Sequence, residues 1–280
     1  MRIIDVSEVT SAVSKLCIDA NYSLSDDMQR ALSDASGKEE SELGKKILDQ
    51  LFKNLEIAGS DNIPICQDTG MAVVFVKVGQ DVHFVGGSLN DAINEGVREG
   101  YTKGYLRKSV VSDPFIRINT NDNTPAIIHY DIVPGDEVVI TCAPKGFGSE
   151  NMSRVFMLKP ADGEEGVKNA ILQAVRDAGP NACPPMVVGV GIGGTFEKCA
   201  QLAKEALTRD LSVRSDKPHI RAIEEEVLDR INKTGIGPAG LGGRITALAV
   251  NINTYATHIA GLPVAVNICC HVNRHATIRL

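Results

Sequence analysis

Apolar positions recur at helical spacing through the first sixty residues, then give way to short β-branched runs. Val9, Val13, Leu16 and Cys17 follow Ser7 and Thr10; Met28 and Leu32 follow Ser25; Leu43, Ile47, Leu48, Leu51 and Leu55 follow Ser41. Each set marks one face of a helix behind a residue able to open it. Beyond them, MAVVFVKVG (71–79) reads as a strand, and SLNDAINEGVREGYTKG as a helix capped by Ser88. AIIHYDIV and EVVITCAP are strands separated by the turn residues Pro134, Gly135 and Asp136. EEGVKNAILQAVRDAG is a helix closing on Gly179, PPMVVGVGIGG a buried strand, and TFEKCAQLAKEAL and IRAIEEEVLDRINKTG are helices. ITALAVNINTY and LPVAVNICCHV close the chain as apolar strands.

This mixture predicts an α/β fold of mixed α+β layers: a helical N-terminal region, then mixed β-sheets flanked by helices. The chain reads as one domain, residues 1–280, helical to about residue 60. TGIGPAGLGGR (234–244) is the segment richest in breakers and fits either a boundary or a mobile loop beside a site.

Composition narrows the classes. At 280 residues and 43% hydrophobic, the chain can bury a substantial core. A net charge of −6, 4% aromatics and no Trp argue against a nucleic-acid partner. No apolar stretch is long enough for a membrane span and no secretion signal opens the chain, so a soluble, cytoplasmic protein is expected. The seven cysteines are odd in number and form no C-x-x-C pair. That pattern predicts reduced thiols, some of them metal ligands, rather than a disulfide framework.

Five segments are candidates for chemistry. Pro64–Gly70 sets Cys66 beside Gln67, Asp68 and Thr69, a group able to ligate a metal and hold a polar ligand, or equally a loop with a buried Cys. Cys183-Pro184-Pro185 suits a rigid ligand position or an ordinary rigid turn. Cys269 and Cys270 are adjacent on a strand, so only one of them faces a given site. Lys145–Asn151 puts glycines after a strand, where backbone N–H groups can approach an anion. Gly189–Gly194 fits G-x-G-x-x-G, but no apolar strand leads to Asp210, the acidic residue at the right distance. Arg107 is either a carboxylate clamp or a surface charge, and His258 a ligand contact or a core histidine. Cys17, Cys199 and Cys142 read as packing residues.

Taken together and in order, PICQDTG (64–70), YLRKS (105–109), KGFGSEN (145–151), ACPPMVVGVGIGGT (182–195) and HIAGLPVAVNICCHVNR (258–274) resemble the iron–sulfur domain of class I fumarases and the alpha subunit of L-tartrate dehydratase. The resemblance spans most of the chain. It implies a hydro-lyase with a [4Fe–4S] cluster held by Cys66, Cys183 and Cys270; the last is chosen over Cys269 because the family's third ligand lies four residues before an Arg, here Arg274. It implies substrate contacts at Gln67, Asp68, Arg107, Gly148 and His258, with Asp68 also catalytic. Where the family is usually closer to KGGGSAN, this chain has Phe147 and Glu150.

The resemblance further implies a split enzyme. The family's remaining contacts, a catalytic Thr with Arg and Lys residues, lie in a separate domain, so a beta subunit is expected to complete the site and to carry the base. The assembly would be a hetero-oligomer or homodimer acting on a small dicarboxylate. Fumarate/(S)-malate in the tricarboxylic acid cycle is the first choice, with L(+)-tartrate to oxaloacetate as the alternative and mesaconate as a third substrate. Two rivals stand outside the family: a dinucleotide-binding oxidoreductase built on Gly189–Gly194, and a subunit that uses its cysteines structurally.

Overall fold

The β-branched runs pair into two four-stranded sheets, and each sheet belongs to a different unit of the chain. The computed structural model describes all 280 residues. One unit comprises residues 1–25, 55–147 and 274–280, the other 26–54 and 148–273. The architecture is α/β with mixed sheets, as the patterning predicts.

In the first unit the sheet order is β10 (Ala276–Arg279), β5 (Val138–Lys145), β2 (Met71–Gly79), β4 (Ile127–Val133). β2 runs parallel to β4 and antiparallel to β5. The strands on either side of Pro134–Asp136 therefore do not pair with each other; β2 lies between them. The turn crosses the end of β2 at Gly79, whose N–H donates to the Glu137 carbonyl at 2.8 Å. A Cβ at Gly79 would sit 2.5 Å from the Gly135 carbonyl oxygen, so the crossing needs a glycine there.

Helices α1 (Val6–Tyr22) and α4 (Leu89–Lys103) pack closely because α4 presents Gly96 and Gly100. Cβ atoms there would lie 2.6 and 2.7 Å from the carbonyl oxygens of Thr10 and Ser14. Val9, Val13 and Leu16 of α1 enter one core with Val74, Val76 and Ile140. Asp5, not Ser7, caps α1, while Ser88 caps α4 as expected. β1 (Arg2–Asp5) pairs in parallel with β3 (Val82–Val85). These two strands, β10 and β6 (Arg154–Leu158) have four or five residues each, too few for alternation to announce them.

The second unit has the order β6, β9 (Leu262–Cys269), β7 (Met186–Gly194), β8 (Ala247–Thr257). Successive β7 residues point to opposite faces. Val188 and Val190 pack with Ile171 and Val175 of α6 (Gly163–Ala178) and with Ile223 and Val227 of α8 (Pro218–Asn232). Gly189 and Gly191 face α7 (Phe196–Ala206) on the other side. α2 (Asp26–Lys38) is tied in by Asp27, whose carboxylate accepts the Leu211 N–H at 2.9 Å. α3 (Glu42–Asp61) carries the chain from the second unit to the first. No helix is long and apolar enough to cross a membrane.

The breaker-rich loop 234–244 is anchored within the second unit. Glu39, 3% exposed, accepts the N–H groups of Glu40, Ser41 and Arg244 on Oε1 at 2.8, 2.8 and 2.9 Å, and that of Ile245 on Oε2 at 2.7 Å. Ala239 donates to the Pro184 carbonyl at 2.9 Å, so the same loop braces the turn that carries Cys183. Burial pushes the Glu39 carboxyl up, but the backbone donors of Ile245, Ser41, Arg244 and Glu40 together outweigh it and hold it below the usual carboxylate range. A depressed folded-state pKa stabilises at pH above the unfolded value, about 4.3, and the contribution is lost as pH falls through the folded value. Glu39→Gln turns an acceptor oxygen into a donor facing backbone N–H groups. We expect it to cost about 2–3 kcal/mol in urea denaturation at pH 7, and clearly less once acid has protonated the wild-type carboxyl.

Candidate functional site

In the first unit, the turn after α3 holds Cys66, Gln67 and Asp68 in place from below. Ile65, 6% exposed, donates to the Asn21 carbonyl at 2.9 Å and anchors the turn in the core. Cys66 and Asp68 are half-buried, and Gln67 is exposed. The Asp68 carboxylate accepts the Gly70 N–H on Oδ1 at 3.0 Å and the Phe147 N–H on Oδ2 at 2.9 Å. Thus the first residue after the Lys145-Gly146 pair meets the CQDTG turn through its backbone. Gly70 has φ +77° and a Cβ there would lie 2.7 Å from the Lys145 nitrogen, so this crossing tolerates no side chain.

Arg107 is brought to the same turn by Thr69. The buried Thr69 hydroxyl donates to the Arg107 carbonyl at 3.1 Å and accepts the Arg107 N–H at 2.9 Å, leaving the guanidinium exposed. The Tyr101 hydroxyl donates to the carbonyls of Thr69 and Gly70 at 2.7 and 3.0 Å. Burial keeps that phenol well above its ordinary pKa, so it stays a donor. Asn123, fully buried, donates to the Gly70 carbonyl at 3.2 Å and accepts the Ser109 N–H at 2.8 Å. Thr69→Val keeps the shape but strips both backbone groups of Arg107 of a partner. A loss of about 1–3 kcal/mol is expected by chemical denaturation.

In the second unit, the Cys183 turn lies against the end of β9. Cys183 is exposed and has φ 51°, a left-handed conformation that costs a non-glycine residue about 1 kcal/mol. Strain of this kind is typical of functional turns. The Cys183 carbonyl accepts the His271 backbone N–H at 3.4 Å and lies 3.0 Å from His271 Nδ1. Burial lowers the His271 pKa, so a neutral ring protonated on Nδ1 makes that second bond. The residue next to Cys270 is thereby hydrogen-bonded to Cys183. His258 follows β8 directly and is exposed; its Nδ1 accepts the Ala260 N–H at 3.2 Å, which leaves the proton on Nε2. Gly148, in the one-turn helix α5 (Phe147–Glu150), is exposed, with open space where a Cβ would be. Glu150 is ion-paired with Lys204 and accepts from Asn267 at 2.9 Å, so this departure from KGGGSAN has a structural use.

Exposure sorts the seven cysteines. Cys17, Cys142, Cys199 and Cys269 are buried; Cys66 and Cys270 are half-buried and Cys183 is exposed. Cys269 is the last residue of β9, and Cys270 stands just beyond the strand. Cys17 Sγ lies 3.7 Å from Cys142 Sγ, and that contact together with burial pushes the Cys17 thiol up. Burial does the same for Cys199. The cysteines left accessible are Cys66, Cys183 and Cys270, and a thiolate is a soft donor of the kind that suits iron–sulfur chemistry. No group of three or more His, Cys, Asp or Glu side chains is placed to close on a metal ion, so the fit is one of donor chemistry.

The glycines of Gly189–Gly194 serve packing. Cβ atoms at Gly189 and Gly191 would fall 2.2 Å from the Ala203 carbonyl oxygen and 2.0 Å from that of Cys199. Asp210 lies in a loop and accepts from Ser212, rather than ending a strand. The sequence singles out Thr69 only as a polar neighbour of Cys66 and gives no role to Tyr101, Asn123 and His271. His271 sits inside a quoted motif. Tyr101 looks like any core residue on a helix, and Asn123, at φ 64°, has no signal at all.

Comparison with known proteins places these segments in context. Residues 10–279 match the family described as fumarate hydratase (Fumerase). A Methanocaldococcus jannaschii protein named "Putative L(+)-tartrate dehydratase subunit alpha" is 41% identical over 279 residues, 98% of each chain. The L(+)-tartrate dehydratase subunit alpha of Escherichia coli K12 is 32% identical over 277 residues, covering 98% of this chain and 91% of the relative.

Proposed function

Because the chain belongs to the fumarate hydratase (Fumerase) family, we propose that it is the alpha subunit of a [4Fe–4S]-dependent hydro-lyase that interconverts fumarate and (S)-malate with a separate beta subunit. The observation that carries this is the family match over residues 10–279, which takes in all five motifs. The names of the relatives supply the alpha-subunit reading, and they also favour a second substrate, L(+)-tartrate, converted to oxaloacetate.

Cys66, Cys183 and Cys270 would hold the cluster as thiolates. Held by three thiolates, the cluster would supply a Lewis-acid position for a 2-hydroxy acid. The chain's own residues do the rest of the binding. Arg107, fixed by its backbone and free at its guanidinium, clamps the distal carboxylate and stabilises the charge that builds when the C3 proton leaves. Asp68, aimed by the Gly70 and Phe147 N–H groups, orients the substrate hydroxyl. Gln67, the Gly148 N–H and the His258 Nε2–H hold carboxylate oxygens. The proton-abstracting base comes from the beta subunit.

The test is anaerobic co-expression of this chain with its beta subunit, assayed with fumarate, L(+)-tartrate and mesaconate. Hydration of fumarate by the pair, and little by this chain alone, is the expected result. Turnover of tartrate alone would move the assignment to the second reading. Full turnover by the isolated chain would remove the beta subunit from the scheme, and no turnover of any of the three would remove the hydro-lyase reading.

A further inference from the structure

Arg274 was useful in the sequence only as a marker of register, yet it is among the most deeply buried charges in the first unit, at 4% exposure. Its Nε donates to the Pro144 carbonyl at 3.1 Å, and its Nη2 donates to the Asp68 carbonyl. One edge of the guanidinium therefore joins the backbone of the CQDTG turn to the end of β5. The other edge carries Nη1, buried without a hydrogen-bond partner. An unpaired buried donor is destabilising, so stability alone does not explain why a guanidinium stands here.

What the arrangement fixes is the direction of one carboxylate. Asp68 is held by its own carbonyl through Arg274 and by its side chain through Gly70 and Phe147. Gly146 lies between: a Cβ there would be 3.2 Å from Asp68 Oδ2 and 3.7 Å from Arg274 Nη2. The guanidinium is planar and presents two parallel donors, which is what two carbonyls on separate segments require. A lysine has one point of attachment and cannot hold both at a fixed angle.

We propose that Arg274 is a positioning residue, which sets the orientation of the Asp68 carboxylate by bridging the Asp68 and Pro144 carbonyls. The role in turnover rests on the hydro-lyase reading above; the effect on Asp68 does not. Two measurements separate them. In the full-length chain without cluster or partner, hydrogen exchange at the Gly70 and Phe147 amides reports whether Asp68 still accepts from them. Arg274→Met is expected to speed exchange at both by about tenfold or more, with amides in the middle of β2 unchanged and Arg274→Lys intermediate. In the assembled enzyme, Arg274→Lys is expected to lower kcat/KM by about tenfold, and the double variant with Asp68→Asn to be no worse than Asp68→Asn alone.

Wild-type exchange at both amides in Arg274→Met overturns the proposal, as does a double variant whose loss is the product of the two single losses. If Arg274→Met does not fold, Arg274→Lys decides by the same two readouts. If the wild-type pair hydrates none of the three substrates, the functional reading fails while the exchange result still decides the claim about Asp68.

Discussion

Cys66→Ser, Cys183→Ser and Cys270→Ser are each expected to yield a folded chain that has lost its iron, whereas Cys17→Ala, Cys199→Ala and Cys269→Ala keep it. A four-iron cluster gives about four irons per wild-type chain purified without oxygen, and we expect under one in the three serine variants. A serine hydroxyl is a poor substitute for a soft thiolate, and losing one of three ligands leaves the cluster too weakly held to survive purification. Losing a Lewis acid worth about 4 kcal/mol lowers turnover about a thousandfold. The folds should survive because none of the three side chains is buried, so no core contact goes with them. The alanine set behaves in the opposite sense: Cys17 and Cys269 are 0% and 4% exposed, and truncation there costs about 1–2 kcal/mol of stability without touching iron. The comparison of Cys269 with Cys270 is the sharpest, since the two are adjacent. Iron retained in Cys270→Ser and lost in Cys269→Ala would reverse the assignment and put the ligand inside the sheet.

That pair also shows what a sequence can and cannot carry. Alternation along a strand says that two neighbours face opposite ways, but not which faces the core. The strand's end at Cys269 decides it, and the end of a strand is set by its partners, here Val187 on β7. The long elements were legible because each repeats its pattern over several turns or pleats: the stripe of α3 and the β-branched run of β2 lie where they were expected. The order of strands was not. The turn residues Pro134–Asp136 say that two strands are separated there but not which strands pair, and only the contact of Gly79 beneath the turn shows that a third strand passes between. The exposed site residues were legible as motifs. Their supports, Tyr101, Asn123 and Arg274, act across long sequence separations on backbone carbonyls, and nothing in the local sequence marks such a bond.

Gly191→Ala is expected to be the most damaging single change to the fold, although it adds one methyl group. The new carbon would start 2.0 Å from the Cys199 carbonyl oxygen, 2.7 Å from the Ala203 nitrogen and 2.8 Å from Leu202 Cβ. Two of those atoms are helix backbone, so no rotamer relieves the clash; α7 must move away from the sheet or β7 must move the other way. β7 cannot move freely, because it is hydrogen-bonded to β8 on one side and β9 on the other, and its valines fill the core beneath α6 and α8. Lifting α7 opens space around Cys199, Ala203 and Ala265, which pack as one small cluster. Overpacking and the resulting gap together cost about 4 kcal/mol or more, a large share of the roughly 5–15 kcal/mol that holds a typical domain. Gly59→Ala is the control: it lies in α3, nothing stands within 4 Å of its added carbon, and a gain of about 0.5–1 kcal/mol is expected. Urea titration of both variants reads the difference directly. A midpoint for Gly191→Ala within experimental error of the wild type would mean that α7 and β7 do not approach as closely as described. The glycines would then be free for another use, and NADH titration by fluorescence would be the measurement to make; with α7 seated on them, no dinucleotide binding is expected.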